Sequence, residues 1–164
     1  MPRTRQQPEL EDDAPAPGDP VLEAASALHR WAIEACHQHD RYARLSAQTS
    51  EPAELRAAIT LVRQVDATLC DMVKRYEKAA ASSRPADDDG WWHCANELWL
   101  ASREYVRRHQ GCDRAERAVT NGKHGSERFG ELQLNYELEA SALLAMRHSA
   151  EAFQRSRNGR AAPS

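Results

Sequence analysis

Long apolar runs are missing from this chain. No segment of its 164 residues approaches the roughly 18 consecutive apolar side chains of a membrane-spanning helix, so no membrane partner is expected. No secretory leader is expected either. Residues 1–19 carry Arg3 and Arg5, then prolines and acids where a leader would have an apolar stretch, which leads to a cytoplasmic expectation. Paired cysteines are lacking: Cys36, Cys70, Cys94 and Cys112 include no Cys-x-x-Cys, and as reduced thiols they read as small hydrophobes. There is no large charge of one sign. A formal net charge of −3 gives no reason to expect nucleic acid or an anionic surface as partner, and Arg107, Arg108, Arg114 and Arg117 read as a solvated face. Nothing repeats at solenoid periods.

Catalytic motifs are equally scarce. Gly122-Lys123-His124-Gly125-Ser126 lacks the spacing of a phosphate loop and follows a helical pattern instead of a strand. No nucleophile elbow is present. Glu34-x-x-His37 matches the element used by di-iron bundles, but it falls on a polar helix side and has no second copy; His148-x-x-Glu151 is reversed and also faces outward. A di-iron centre is therefore not expected.

What is present is helical patterning. A 41% hydrophobic and 29% charged composition suits one globular domain of solvated helices, and the excess of Arg over Lys with abundant Ala fits a GC-rich bacterial genome. Residues 1–19, with Pro2, Pro8, Pro15 and Pro17 among acids, cannot recover the entropy of ordering and read as a disordered tail. Asp19-Pro20 then supplies an N-cap and a proline at the first helical position. Helix 1, about 20–46, buries Val21, Ala25, Leu28, Ala32, Ala35 and Tyr42. Helix 2, about 50–80, has a heptad seam of Leu55, Ile59, Val62, Leu69, Val73 and Tyr76, with Asp66 in one apolar slot. Pro85 and the acids Asp87 to Asp89 break the chain and favour the next helix N-terminus.

Helix 3, about 90–120, presents Trp91 or Trp92, Ala95, Leu98, Trp99, Tyr105 and Val106, allows a kink at Gly111, and stops at Asn121-Gly122. Helix 4, about 126–153 with Ser126 as cap, uses Phe129, Leu132, Tyr136, Leu143, Met146, Ala150 and Phe153, interrupted by Glu139. Residues 154–164 read as a basic flexible tail. Similar helix lengths and short connections predict an all-α fold, an antiparallel up-down-up-down four-helix bundle between disordered tails. A three-helix arrangement with helix 1 displaced is the structural alternative.

Polar groups interrupt the seams. Turning 100° per residue places His39, Asp66, His109 and Glu139 on inner faces, with His29 at the edge of helix 1's face. Such groups are costly when buried unless paired. Counting from the loops gives two layers: His29, Asp66, Ser102, Tyr105 and Glu139 at mid-bundle, and His39 with His109 nearer the 46–51 and 121–126 loops. In the second layer Cys36-x-x-His39 and His109-x-x-Cys112 offer two sulfurs and two nitrogens, a set suited to zinc, while the two histidines alone suit axial ligation of haem iron. The plainer reading is a hydrogen-bonded network that fixes helix register. Trp91, Trp92 and Trp99, with Trp31, form either a core plug or a contact patch.

The leading expectation is a non-catalytic helical bundle acting through protein contacts, as a homodimer or an accessory subunit. The alternatives are a metal- or haem-binding bundle, using His39 and His109 with Cys36 and Cys112 or the Asp66 and Glu139 layer, and a small helical enzyme using Asp66, Glu139 and His29 for acid–base work.

Overall fold

The computed structural model describes residues 18–48, 51–84, 90–122 and 126–159. They form four helices: α1 Pro20–Ala47, α2 Pro52–Ser82, α3 Trp91–Thr120 and α4 Ser126–Asn158. Among the described residues there is no strand, so the chain is all-α, as the sequence predicts. The expected tail over 1–17, the break at Pro85 to Asp89, the end of the basic tail and the capping side chain of Ser126 lie outside the described residues.

Local chemistry sets the helix ends. Asp19 is extended, and its Oδ1 accepts from the backbone N–H groups of Val21 and Leu22 at 2.9 and 3.4 Å. Pro20 follows in the first turn, where a missing N–H costs nothing. Gly122 ends α3 with φ 83°, a left-handed conformation that only glycine adopts freely, as Asn121-Gly122 predicts. The helix runs on through Gly111. A Cβ there would sit 3.2 Å from Asn135 Oδ1, so the glycine gives α4 room to approach. α4 continues past the expected stop at Phe153 to Asn158. Arg155 and Arg157 in its last turn complement the negative end of the helix.

Paired side chains show how the helices run. Tyr76 meets Asn96 while Asp66 meets Tyr105, which makes α2 and α3 antiparallel. His109 with Glu139 and Tyr136 with Glu116 do the same for α3 and α4. His29 with Phe153 and Asp40 with Arg147 do so for α1 and α4. α1 packs most extensively on α2 and α3 on α4. The two hairpins meet more thinly along α1–α4 and α2–α3.

The core is concentrated toward one end. Leu28, Leu69, Tyr76, Leu98, Met146 and Phe153 are buried together, with Trp91 closing the end near Val21. At the opposite end burial stops. No described side chain is buried beyond Cys36 on α1, before Ala58 on α2, beyond Cys112 on α3 or before Ala142 on α4. The expected α4 seam is corrected there: Met146, Ala150 and Phe153 are buried, but Phe129 is 56% and Tyr136 41% exposed.

Candidate polar centre where the core ends

The seam-breaking residues come together at the boundary between the packed core and the open end. Asp66 of α2 is the hub. Its Oδ2 accepts from the Tyr105 hydroxyl at 2.9 Å, lies 3.1 Å from His39 Nε2 and 3.4 Å from His109 Nε2. The Tyr105 hydroxyl also rests against His39 Nε2. On the far side of its ring, His109 Nδ1 is 3.1 Å from Glu139 Oε2. His39 stands edge-on to Tyr105 with ring centres 5.5 Å apart, and His109 stacks on Tyr105 at 6.1 Å. Each helix contributes at least one group, so the bundle's register decides whether the network closes.

The electrostatics follow from these contacts. The Glu139 carboxylate, helped by Asp66, holds the His109 imidazole above its ordinary value of 6.5 against the opposing effect of burial. Burial pushes Glu139 up, but hydrogen bonds from His109 and Cys112 outweigh it and leave the carboxyl below its usual range. Both directions describe an imidazolium–carboxylate pair. Burial, then the nearby charges of Asp66 and Glu139, drive the Tyr105 phenol far up, so it stays a hydroxyl and a donor.

Three members of the expected mid-bundle layer join the layer of the two histidines. Asp66, Tyr105 and Glu139 stand with His39 and His109, because α2 and α4 begin farther from this level than α1 ends. Counting from the shared loops therefore placed both carboxylates too deep. His29 is apart: its ring packs on Phe153 at 5.5 Å, and burial pushes its imidazole below the ordinary value despite a backbone hydrogen bond at Ala150. Ser102 is fully buried, and its hydroxyl has no hydrogen-bond partner among the described residues.

The Cys36, His39, His109, Cys112 quartet does not converge. The histidines meet, with ring centres 6.3 Å apart, although helices 1 and 3 are diagonal. The thiols have other partners. Cys36 lies beside Arg147, with burial raising its pKa and the guanidinium pulling it back. Cys112 bonds to Glu139, and its thiol is pushed up to about 12, chiefly by burial. Among the described residues, no group of three or more His, Cys, Asp or Glu is placed to hold a metal ion.

Two cavities flank the centre. One of about 820 Å³ lies between α2 and α3, lined by Asp66, Tyr105, His109, Asp113 and Arg117 among others. The second, about 390 Å³, opens toward the loop end past Tyr42, Ile59, Val62 and Leu143, with Glu139 and both histidines in its wall. Asp66 Oδ1 is buried without a hydrogen-bond partner among the described residues.

The tryptophans divide. Trp91 is 2% exposed and serves as the core plug, set edge-on to the half-buried Trp92. Trp92 and Trp99 both pack on Tyr76, and Trp99 donates to Glu77. Trp31 is partly buried against the core. Burial of Trp91 removes it from the expected contact patch. The large exposed apolar side chains are instead Leu100, Phe129, Leu134, Tyr136 and Leu144, four of them on α4. The sequence held a signal for part of this surface: Leu134, Leu138, Ser141 and Ala145 recur at four, three and four residues, a second seam on the same helix. No helix is long and apolar enough to cross a membrane among the described residues. No protein-family model matches the chain, and comparison with curated proteins and with solved structures yields no match either.

Proposed function

We propose that this protein is a non-catalytic helical bundle that works through protein contacts made by the first half of α4. One observation carries the reading. Residues 127–141 bury no side chain, yet they include Phe129, Leu132, Leu134, Tyr136 and Leu138. A helix on the surface of a lone bundle ordinarily keeps its apolar side chains to one stripe, whereas those of α4 spread around it. Large apolar side chains left unburied on every side of one stretch of helix support an interaction site there. The polar centre fits the same reading, since its groups largely satisfy one another and tie all four helices in one register.

The test compares the chain with Leu134→Glu. Both should have the same helicity, while the association of the wild type, by light scattering or by recovery of a defined complex from its own cells, should be lost in the variant. A wild type that stays monomeric and is recovered alone would overturn the reading.

A small-ligand reading has one observation in its favour, the unpartnered Asp66 Oδ1 beside a cavity of about 820 Å³. Native mass spectrometry of untagged protein, purified without chelators, would show a retained mass if a metal, haem or organic ligand occupied this region.

A further inference from the structure

We infer that the partner of α4 is a second copy of this chain, docked antiparallel through an outward seam of the helix; this rests on the contact reading above and gives it a register. The seam consists of Glu127, Glu131, Leu134, Leu138, Ser141, Ala145, His148 and Ala152, spaced alternately by four and three residues over about 37 Å. It is turned away from the core. Leu134 is 55% exposed, Glu127, Glu131, Ser141, Ala145 and His148 are exposed, and Leu138 and Ala152 are half-buried. It is distinct from the inner seam of Ala142, Met146, Ala150 and Phe153 that faces the chain's own core.

The seam is self-complementary. A twofold axis passing between Glu139 and Ala140 would set each residue of one copy against a different one of the other. Leu138 then faces Ser141, Leu134 faces Ala145, and Glu131 faces His148, each pair occurring twice. Large side chains meet small ones, which lets the helices approach closely, and an acid meets the one histidine of the seam. These are the core pairings of an antiparallel coiled coil, and an isologous interface requires such self-matching. Leu144, 52% exposed, flanks the seam and gains cover from the same arrangement.

The experiment is analytical ultracentrifugation of the full chain at neutral pH, for wild type, His148→Glu and the double variant Glu131→Lys with His148→Glu. The single variant sets like charges face to face at both ends and should weaken the dimer about tenfold. The double variant sets opposite charges face to face and should recover wild-type affinity or better. Circular dichroism confirms that these surface variants stay helical. A dimer that is indifferent to His148→Glu, or is weakened but not rescued, would overturn this register while leaving contact through α4 intact. A wild type monomeric at every concentration would overturn the second copy; Leu134→Glu losing a different protein partner would then preserve the broader reading, and its losing none would end both.

Discussion

His109 is held between two carboxylates, with Glu139 at Nδ1 and Asp66 near Nε2, and this decides how its protonation feeds into stability. Its pKa is raised on folding, so its contribution is fully present below the unfolded value near 6.5 and is lost as pH rises through the folded value. Glu139 has the opposite sign: its contribution is present above the unfolded carboxyl value and is lost as pH falls through the lowered one. His29, lowered by burial, loses stability below about 6.5 and partly masks the effect of His109 in the whole protein. The clean observable is therefore a difference. His109→Gln should cost about 2 kcal/mol or more in urea unfolding at pH 6 and visibly less at pH 9, with His39, Tyr105, Cys112 and Asp113 present in both proteins. An equal cost at both values would mean that His109 is neutral in the fold. That Asp66 and Glu139 break their seams is legible from heptad spacing. That they reach the two histidines is not, because depth along a bundle depends on where each helix begins relative to its neighbours.

Among the elements, α4 separates what periodicity can and cannot tell. Its start, its antiparallel direction and its inner residues Met146, Ala150 and Phe153 follow from spacing and loop length. Its first half does not, since Phe129 and Tyr136 fall in phase with that seam and yet are 56% and 41% exposed. Spacing reports which side a residue occupies, not whether another helix reaches that level. The trace of this is energetic. Met146 has no exposed surface, and Met146→Ala should cost about 3 kcal/mol through lost burial and the cavity left behind. Leu134→Ala, at a site 55% exposed, should change the stability of the dissociated chain by less than about 0.5 kcal/mol. Chemical denaturation at the lowest workable concentration checks both. A large loss at Leu134 would show that this half of α4 is packed within its own chain.

For the molecule as a whole, the contrast is between a closed end built on Trp91, Tyr76 and Phe153 and an open end from which buried side chains are missing. The all-α class and the four helices were readable because each helix carries its own cap, breaker or seam. The imbalance between the ends was not, because it concerns how the two hairpins meet, which spacing along a single helix does not report. If a second copy covers α4, folding and association are linked, and stability must depend on concentration. Each tenfold rise in concentration adds about 1.4 kcal/mol per mole of dimer. Shared between two chains of this size, that moves the unfolding midpoint by about 2 °C. Thermal unfolding followed over a hundredfold concentration range should therefore show a steady climb for the wild type. The Leu134→Glu chain, with its seam broken, should melt at one temperature throughout. A flat wild-type midpoint would place the exposed side chains of α4 outside any equilibrium between copies, and the cover they need would have to come from a different protein.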